Sequence, residues 1–438
     1  MNEYSHTVKE KLLSLISEMS DSLEAFVKNP AKDFTRNRKL PFETVVKLLI
    51  AMGGNSIYKE LLESTGYDLN TATASAFVQQ RDKILPFAFE SLFHKFTDTF
   101  HDAKTYHGYR LLAADGSDLY FAVDPDDPDT YLQTRADAKG YNILHLNALY
   151  DLCNRLYVDA SAQPTRCSNE KKAIVDMVDR SRITEKTIVI ADRYYESYNI
   201  FAHIERKGWN YLIRAKDIDS NGILSGLSLP SGGEFDICVH RILTRRHTNE
   251  IKARPDIYRF LSNRSTFDFL DLDYKNQFYP ISFRIVRLKI ADNFYETLIT
   301  NLHSADFSPT EIKALYNRRW GIETSFRELK YSVGLTNFHA KKREYILQEI
   351  FARLIMYNFA EMITSHVVIS QADTKFSYQV NFTAAIHICR YFLRLWSYAP
   401  PPDVEALIRK YILPVRPGRK DKRKIRCISA TSFLYRVA

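Results

Sequence analysis

The 438-residue chain has few cysteines and no long apolar run, and each shortage excludes a class of protein. Its five cysteines are scattered without a Cys-x-x-Cys pair, which argues against a zinc ribbon or a disulfide framework and fits a reducing cytoplasm. No run approaches the roughly 18 apolar residues of a membrane span, and the N-terminus has no leader-like stretch. We therefore expect neither membrane insertion nor secretion.

The composition is that of a globular protein with a moderate excess of positive charge. Hydrophobic residues make up 45% of the chain, and Lys+Arg 61 against Asp+Glu 52 gives a formal net charge of +9. Such an excess attracts a polyanion. The segment from Arg416 to Arg426 holds seven basic residues and one acidic residue. It fits either a disordered tail or a DNA contact.

The most informative segment is YNRRWGIETSFRELK, because polar residues recur in it at helical spacing. Tyr316, Arg319, Glu323 and Lys330 fall within roughly a 60° arc of one helix face. Gly334 follows where a helix would stop. An apolar stripe about 70° further round would bury the other flank of the helix. It consists of Leu315, Ile322, Phe326, Leu329 and Val333.

Taken alone, this pattern also fits a solvated helix face with surface ion pairs. The segment nevertheless reproduces the Tyr-x2-Arg-x3-Glu-x6-Lys signature of bacterial insertion-sequence transposases, with the Arg-Trp-x-Ile-Glu core intact. The chain thus resembles the DDE transposases of the insertion-sequence-four group over roughly residues 30–430. The resemblance implies an enzyme that cuts and rejoins DNA, with Glu323 as a catalytic carboxylate. It also implies DNA phosphate contacts from Tyr316, Arg319 and Lys330.

Two aspartates upstream are candidates for the partners of that glutamate. The apolar run Leu111–Ala114 is followed by Asp115, which predicts a buried strand that enters a turn. The β-branched run Thr187–Ala191 predicts a central strand and is followed by Asp192. A single aspartate after a strand is more often a turn former, and Asp118 is an alternative to Asp115. In the ribonuclease-H-like core that the resemblance implies, the first and fourth strands are neighbours, so we expect Asp115 and Asp192 to meet.

Three carboxylates suit phosphodiester chemistry better than a histidine or cysteine cluster does. Two Mg²⁺ ions roughly 3.5–4 Å apart can activate the attacking oxygen and stabilise the leaving oxygen. Mg²⁺ prefers oxygen ligands and keeps waters and phosphate oxygens in its shell, so we expect weak affinity without DNA. By the resemblance, Asp115 bridges the two ions and Asp192 and Glu323 each serve one. Mn²⁺ is expected to substitute.

The order of predicted elements indicates an α/β fold, a ribonuclease-H-like mixed sheet flanked by helices and interrupted by a β-rich insertion. Helical regions are expected at both ends of the chain. The expected division is 1–105 as a helical N-terminal region that binds DNA, 106–216 as the first part of the core, 217–303 as the β-rich insertion, 304–370 as core completion with the catalytic helix, and 371–438 as a helical C-terminal region with a basic tail.

The N-terminal helices have two interpretations. They read transposon-end DNA through an exposed Gln79, Gln80 and Arg81, since Gln and Arg can contact base edges, or they form a helical cap. Basic residues just before the second predicted helix are candidates for phosphate contacts: Arg36, Arg38 and Lys39.

The chain departs from its relatives at two places. In relatives, the loop that begins with the second catalytic aspartate usually reads Asp-Arg-Gly-Tyr. This chain has Tyr194 in place of the glycine, which leaves the backbone conformation of that turn in question. Some relatives hold a flipped base with a tryptophan in the insertion, and none occurs between Trp209 and Trp320. The basic run His240–His247 fits either a DNA-facing strand or a solvated one. Candidates for base stacking are Phe267, Phe269 and Tyr279.

The function that best fits these observations is Mg²⁺-dependent cleavage of DNA at transposon ends, followed by strand transfer of the freed 3′-hydroxyl. The expected partner is double-stranded DNA in the bacterial cytoplasm, with two copies of the chain bridging two ends. Alternatives are a ribonuclease-H-like nuclease that does not join DNA and a DNA-binding protein that has lost activity. Further DNA contacts are expected from Arg193, Arg416 and Arg419.

Overall fold

The computed structural model describes residues 3–415 apart from residues 37, 100–103, 136, 219, 231, 293, 370, 372–375 and 396–401. The described helices are α1 Glu3–Asp21, α2 Phe42–Ala51, α3 Ile57–Ser64, α4 Ala74–Arg81, α5 Pro86–Asp98, α6 Glu170–Arg180, α7 Tyr198–Arg206, α8 Asn249–Ala253, α9 Pro309–Asn317, α10 Trp320–Tyr331, α11 Arg343–Thr364, α12 Phe382–Arg394 and α13 Val404–Lys410. In this part of the chain, no helix has the length and apolar character needed to cross a bilayer.

The described strands are β1 Arg110–Phe121, β2 Tyr131–Leu132, β3 Tyr141–Asp151, β4 Leu156–Pro164, β5 Thr187–Ala191, β6 Asn210–Arg214, β7 Phe235–Thr244, β8 Tyr258–Phe260, β9 Phe278–Ala291, β10 Phe294–Thr300, β11 Tyr378–Val380 and β12 Ile412–Pro414. Short 3₁₀ turns occur at Leu23–Ala25, Thr165–Cys167 and Arg193–Tyr195.

The centre of the molecule is a mixed sheet in which five strands have the order β4-β3-β1-β5-β6. Strands β1, β3 and β4 pair antiparallel, whereas β1, β5 and β6 pair parallel. Parallel neighbours require crossovers, and α6 and α7 supply them on the way to β5 and β6. This order and these directions confirm the predicted ribonuclease-H-like sheet flanked by helices.

Strands β7 to β10 extend the same sheet beyond β6. The link is the antiparallel pair β6 and β10, in which Arg214 lies opposite Leu298. Strands β9, β7 and β8 then follow in order. Pairing with β10 removes what would be an open edge at β6. The sequence predicts β structure in this region and does not predict that it continues the core sheet.

The N-terminal helices share one hydrophobic core with the helices near the C-terminus. Val45 of α2, Leu92 of α5 and Ile355 of α11 are completely buried in a cluster that also contains Leu329 of α10. Burial of this apolar surface ties α1, α2 and α5 to the helix that carries the predicted catalytic glutamate. The division of the chain into five segments stays a prediction.

The expected exposure of Gln80 and Arg81 is wrong. Arg81 is 2% exposed, and its Nη1 lies 2.9 Å from Oε1 of Glu349, a fully buried residue of α11. Its Nε donates to Gln348 Oε1 at 2.8 Å. A charge removed from water needs such partners, and these lie more than 260 positions away, beyond the reach of local sequence patterns. Of the three predicted DNA-reading residues on this helix, only Gln79 is exposed.

The predicted single helix through the polar stripe is two helices. Tyr316 belongs to α9, while α10 begins after Arg319. At the junction, the N–H groups of Arg319 and Ile322 bond three residues back rather than four, which interrupts the α-helical pattern. Gly334 has φ +84° and ends the second helix as predicted. The apolar stripe is buried as predicted at Leu315, Ile322, Phe326, Leu329 and Val333.

Candidate active site

Asp115 lies where β1 loses one of its two neighbours. The parallel pairing of β1 with β5 ends at Ala114 opposite Ala191, whereas the antiparallel pairing of β1 with β3 continues to Phe121. The predicted turn at Asp115 is therefore wrong, because β3 keeps this segment extended. Asp192 directly follows the last residue of β5. The two aspartates thus lie side by side, each directly after the last residue of the parallel β1–β5 pairing, as the family resemblance implies.

The carboxyl group of Asp115 is half-buried among other charges. Its Oδ1 accepts a hydrogen bond from the Gly116 N–H at 2.9 Å. Burial raises the pKa of Asp115 to about 6, and the nearby carboxylates of Asp192 and Glu323 add to the rise. The Gly116 amide and the Arg319 guanidinium oppose it. Burial is therefore the main cause of the raised pKa, and the two neighbouring carboxylates add to it.

Asp192 is oriented by the 3₁₀ turn that follows it. Its Oδ1 accepts the N–H of Tyr194 at 2.8 Å. The positive-φ residues of the described chain do not include Tyr194. The turn is thus built without the conformational freedom of glycine, and the tyrosine at this position is compatible with the backbone.

Glu323 is placed by the first turn of α10. The helix docks through Ile322 and Phe326, and its Ser325 Oγ lies 2.9 Å from Tyr157 Oη of β4. The Glu323 carboxylate is 33% exposed, and its Oε1 accepts a hydrogen bond from Arg319 Nη2 at 2.9 Å. The helix therefore presents the carboxylate and the guanidinium as a pair.

The structure brings the three predicted acids to one place, which we call the acid edge: Asp115, Asp192 and Glu323. Within the described chain, no three His, Cys, Asp or Glu side chains are arranged as a ready-made metal centre. Two of the three carboxylates are each held through one oxygen by a backbone amide. The acid edge is a cluster of hard oxygen donors, the type that Mg²⁺ and Mn²⁺ prefer.

Basic and phenolic side chains surround the acid edge. Arg319 is 8% exposed, its guanidinium carbon lies 5.1 Å from the Trp320 ring centre, and its Nε has no hydrogen-bond partner among the residues described. Tyr316 is 5% exposed, and burial raises its pKa to about 12. Lys330 Nζ donates to the Asp118 carbonyl at 2.8 Å. Arg193 is exposed beside Asp192. Arg416 and Arg419 lie outside the described residues.

Arg214 is a charged residue of this site that the sequence analysis missed. It ends β6, and because Ala191 pairs with Ile213, it lies beside Asp192. Its Nε is 3.2 Å from Glu296 Oε1, and the side chain remains 43% exposed. The sequence contains a signal for this residue, because Arg214 ends an apolar strand in the same way that Asp192 follows one.

The candidate base-stacking residues of the insertion pack against one another. Phe267 is 3% exposed, and its ring centre lies 5.1 Å from that of Tyr279 and 5.6 Å from that of Phe269. These three rings belong to the hydrophobic core and its margin, so the stacking expectation is wrong for Phe267 and finds no support for the other two. In the basic run, Arg241 and Arg245 are buried and donate to loop carbonyls, so neither is a DNA-facing group.

Comparison with known proteins assigns the chain to a family. The chain belongs to the transposase DDE domain family, whose family model matches residues 106–359. Membership places the protein in DNA transposition in general. Among solved structures, a cryo-EM structure titled as the piggyBac transposase synaptic complex with hairpin DNA matches 94% of this chain and 84% of its own at 10% identity, with a TM-score of 0.46. No curated protein matches.

Proposed function

We propose that this protein is a Mg²⁺-dependent transposase that cuts DNA at transposon ends and joins the freed 3′-hydroxyl to target DNA. The observation that carries the proposal is the acid edge, where Asp115 lies within electrostatic range of Asp192 and Glu323 and burial is the main cause of its raised pKa. Carboxylates in a folded protein are normally paired with cations or solvated. Asp115 and Glu323 share the charge of the Arg319 guanidinium, and a divalent cation would supply the further positive charge that three carboxylates need.

The donor set fits two divalent ions. In this proposal Asp115, Asp192 and Glu323 hold them, and Mn²⁺ replaces Mg²⁺. Arg319 contacts only Oε1 of Glu323, so the second oxygen of that carboxylate is available for an ion. Bound ions would lower the pKa of the attacking water or hydroxyl and neutralise charge on the phosphate.

The side chains around the acid edge would bind the DNA backbone. Arg319 is oriented by Glu323 and by the ring of Trp320, and its unpartnered Nε would donate to a phosphate oxygen. Lys330 supplies a positive charge that the Asp118 carbonyl holds in place. Tyr316, Arg193 and the missed Arg214 would contact phosphates on either side of the cut.

A second basic surface lies in the loops before α2 and after α4. Lys32, Arg36, Arg38 and Lys83 line a hollow of about 370 Å³. No carboxylate pairs with these four side chains in the part of the chain that is described, so a duplex backbone would neutralise them. In the proposal, this surface holds the transposon end, two copies of the chain bridge two ends, and the reaction takes place on bacterial cytoplasmic DNA.

A strand-transfer assay tests the proposal. The full chain is incubated with Mg²⁺, a labelled duplex from the DNA that brackets its gene, and a target plasmid. Wild-type protein should yield nicked ends and joined product, and Asp115→Asn should yield neither. The matched control is Asp176→Asn, the same change on the exposed face of α6, where Asp176 forms an ion pair with Lys172. The control should retain both products.

Each other result excludes the proposal in a specific way. Nicked product without joining would identify a nuclease. DNA binding without cleavage in Mg²⁺ or Mn²⁺ would identify a binding protein. Equal activity in Asp115→Asn and wild type would remove the acid edge from the chemistry.

A further inference from the structure

A line of polar side chains connects the strand segment after Asp115 with the turn after Asp192. It begins three residues after the first aspartate and ends three residues after the second. We call it the bridging chain, and its members in order are Asp118, His145, Glu170 and Tyr195. The bridging chain contains none of the three acids of the acid edge.

Three contacts join the members. Asp118 Oδ1 lies 2.8 Å from His145 Nδ1. On the other side of the ring, Nε2 lies 3.2 Å from Glu170 Oε1 as an ion pair whose angle departs from a hydrogen bond. Tyr195 Oη donates to Glu170 Oε2 at 3.1 Å. Four separate elements, β1, β3, α6 and the 3₁₀ turn, are thereby held in one line of contacts.

The fold fixes each position independently of the side-chain contacts. His145 is directly opposite Asp118 in the β1–β3 pairing. Glu170 is the first residue of α6, after the Asn169 cap that accepts the Lys172 N–H. Tyr195 is 2% exposed at the end of the turn that orients the second aspartate. Because all members lie on rigid elements, little entropy is lost in forming the line.

Gly116 shows how closely the line approaches the first aspartate. A Cβ at this position would collide with the His145 ring and lie 3.3 Å from the Glu170 carboxyl carbon. The imidazole therefore rests on the backbone unit whose N–H holds Asp115 Oδ1 at 2.9 Å. Glycine is needed here for close approach, and a displaced imidazole would release the backbone that orients Asp115.

The pKa shifts of His145 and Tyr195 indicate that both side chains are protonated and act as donors to the carboxylates of the bridging chain. Burial alone would lower the pKa of His145, but Asp118 and Glu170 raise it to about 9, so the ring is a cation at neutral pH. Burial, with the carboxylates of Glu170 and Asp115, raises the pKa of Tyr195 well above its ordinary value. The phenol therefore stays protonated and can only donate to Glu170.

We infer that the bridging chain fixes the spacing of Asp115 and Asp192 and so sets the affinity of the acid edge for divalent cations. His145, Glu170 and Tyr195 are positioning residues in this account, since they act on the acid edge through one another and through the backbone. The inference rests on the proposed function. Outer partners of this kind typically change metal affinity by about 10- to 100-fold when they are removed.

Titration of the full chain with Mn²⁺, followed by the electron paramagnetic resonance signal of the free ion, tests the inference without turnover. Tyr195→Phe removes one hydroxyl and should weaken Mn²⁺ binding about 10-fold. His145→Gln should do the same. The matched control is Tyr211→Phe, because the fully buried Tyr211 donates to Glu205 Oε1 at the same 3.1 Å outside the site. The two Phe variants should lose similar thermal stability, and only Tyr195→Phe should lose Mn²⁺ affinity.

Two contrary outcomes separate this inference from the function on which it rests. If Asp115→Asn abolishes Mn²⁺ binding but Tyr195→Phe binds as tightly as Tyr211→Phe, the positioning role is wrong and the acid edge stands. If Asp115→Asn leaves Mn²⁺ binding unchanged, the acid edge is not a metal site, and both proposals fail.

Discussion

The acid edge and the contact between the N-terminal helices and α11 remove charges from water in opposite ways. The second region, which we call the helical clasp, consists of Arg81, His339 and Glu349. Burial alone would raise the pKa of Glu349, but Arg81 and His339 hold it far below its ordinary value. At Asp115, neighbouring acids instead add to the effect of burial. A buried acid whose pKa basic partners hold low marks a structural contact, whereas a buried acid whose pKa stays raised marks a candidate site.

The same substitution made in both regions gives the sharpest contrast. Glu323→Gln removes one charge from the acid edge and should lower the cleavage rate by 10³-fold or more, on the order of the loss seen for other catalytic groups. Its free energy of unfolding should stay about the same, because reduced repulsion among the carboxylates offsets the loss of the partly exposed ion pair with Arg319. Cleavage rates and urea unfolding of the same preparation measure both. Loss of stability together with activity would make Glu323 a structural residue.

Glu349→Gln is the counterpart in the helical clasp. It leaves the Arg81 guanidinium buried without its charge partner and should cost about 3–5 kcal/mol of the free energy of unfolding. Glu349 bonds to Arg81 and His339 rather than to the acid edge, so the cleavage rate per folded molecule should not change. Urea unfolding measures the free energy of unfolding. Active-site titration gives the concentration of folded enzyme, by which the cleavage rate is corrected. A stable but inactive variant would contradict the contrast.

His145 lies beside the acid edge and is paired with the carboxylates of Asp118 and Glu170. Its raised pKa predicts that the stability of the protein depends on pH. Its pKa of about 9 in the folded chain exceeds its ordinary value of 6.5. The stabilisation is therefore complete below about pH 6.5 and is lost as the pH rises through about 9. The difference in unfolding free energy between wild type and His145→Gln should shrink by roughly 2 kcal/mol between pH 6.5 and 10. A difference that stays constant or grows would show that the ring is neutral.

The smallest effect on the free energy of unfolding is expected for an ion pair that is exposed to solvent. Asp176 and Lys172 are 2.8 Å apart on α6, with 46% and 67% of their side chains exposed. Asp176→Asn should change the free energy of unfolding by less than about 0.5 kcal/mol. Urea unfolding at low and high salt checks this expectation. A cost above about 1 kcal/mol would show that ion pairs stabilise this protein wherever they occur.

Local pattern was enough to predict the strands, the apolar helix stripe and the two aspartates. Each depends on residues close in sequence, such as the β-branched run before Asp192 or the spacing of Ile322 and Phe326. The neighbouring positions of β1 and β5 came from the family resemblance. The metal role of the acids, the roles of Tyr316, Lys330 and Arg193, and the dimer stay predictions.

The errors arose where a distant partner or a hydrogen-bond register decides the structure. The exposure of Arg81 depends on Glu349, 268 positions away, and the extension of β1 past Asp115 depends on pairing with β3. The break between α9 and α10 lies beside Gly321. A single glycine is tolerated inside helices, so the helical spacing of the polar residues favoured one continuous helix. Arg214 was missed because a terminal arginine in a strand is common.

The most direct test of the central claim is a crystal structure of the full chain with Mn²⁺ and a duplex from the DNA that brackets its gene. Anomalous scattering locates the ions without reference to activity. We predict Mn²⁺ within ligand distance of Asp115, Asp192 and Glu323. Ions bound elsewhere, or an acid edge that stays free of metal at millimolar Mn²⁺, would contradict the account.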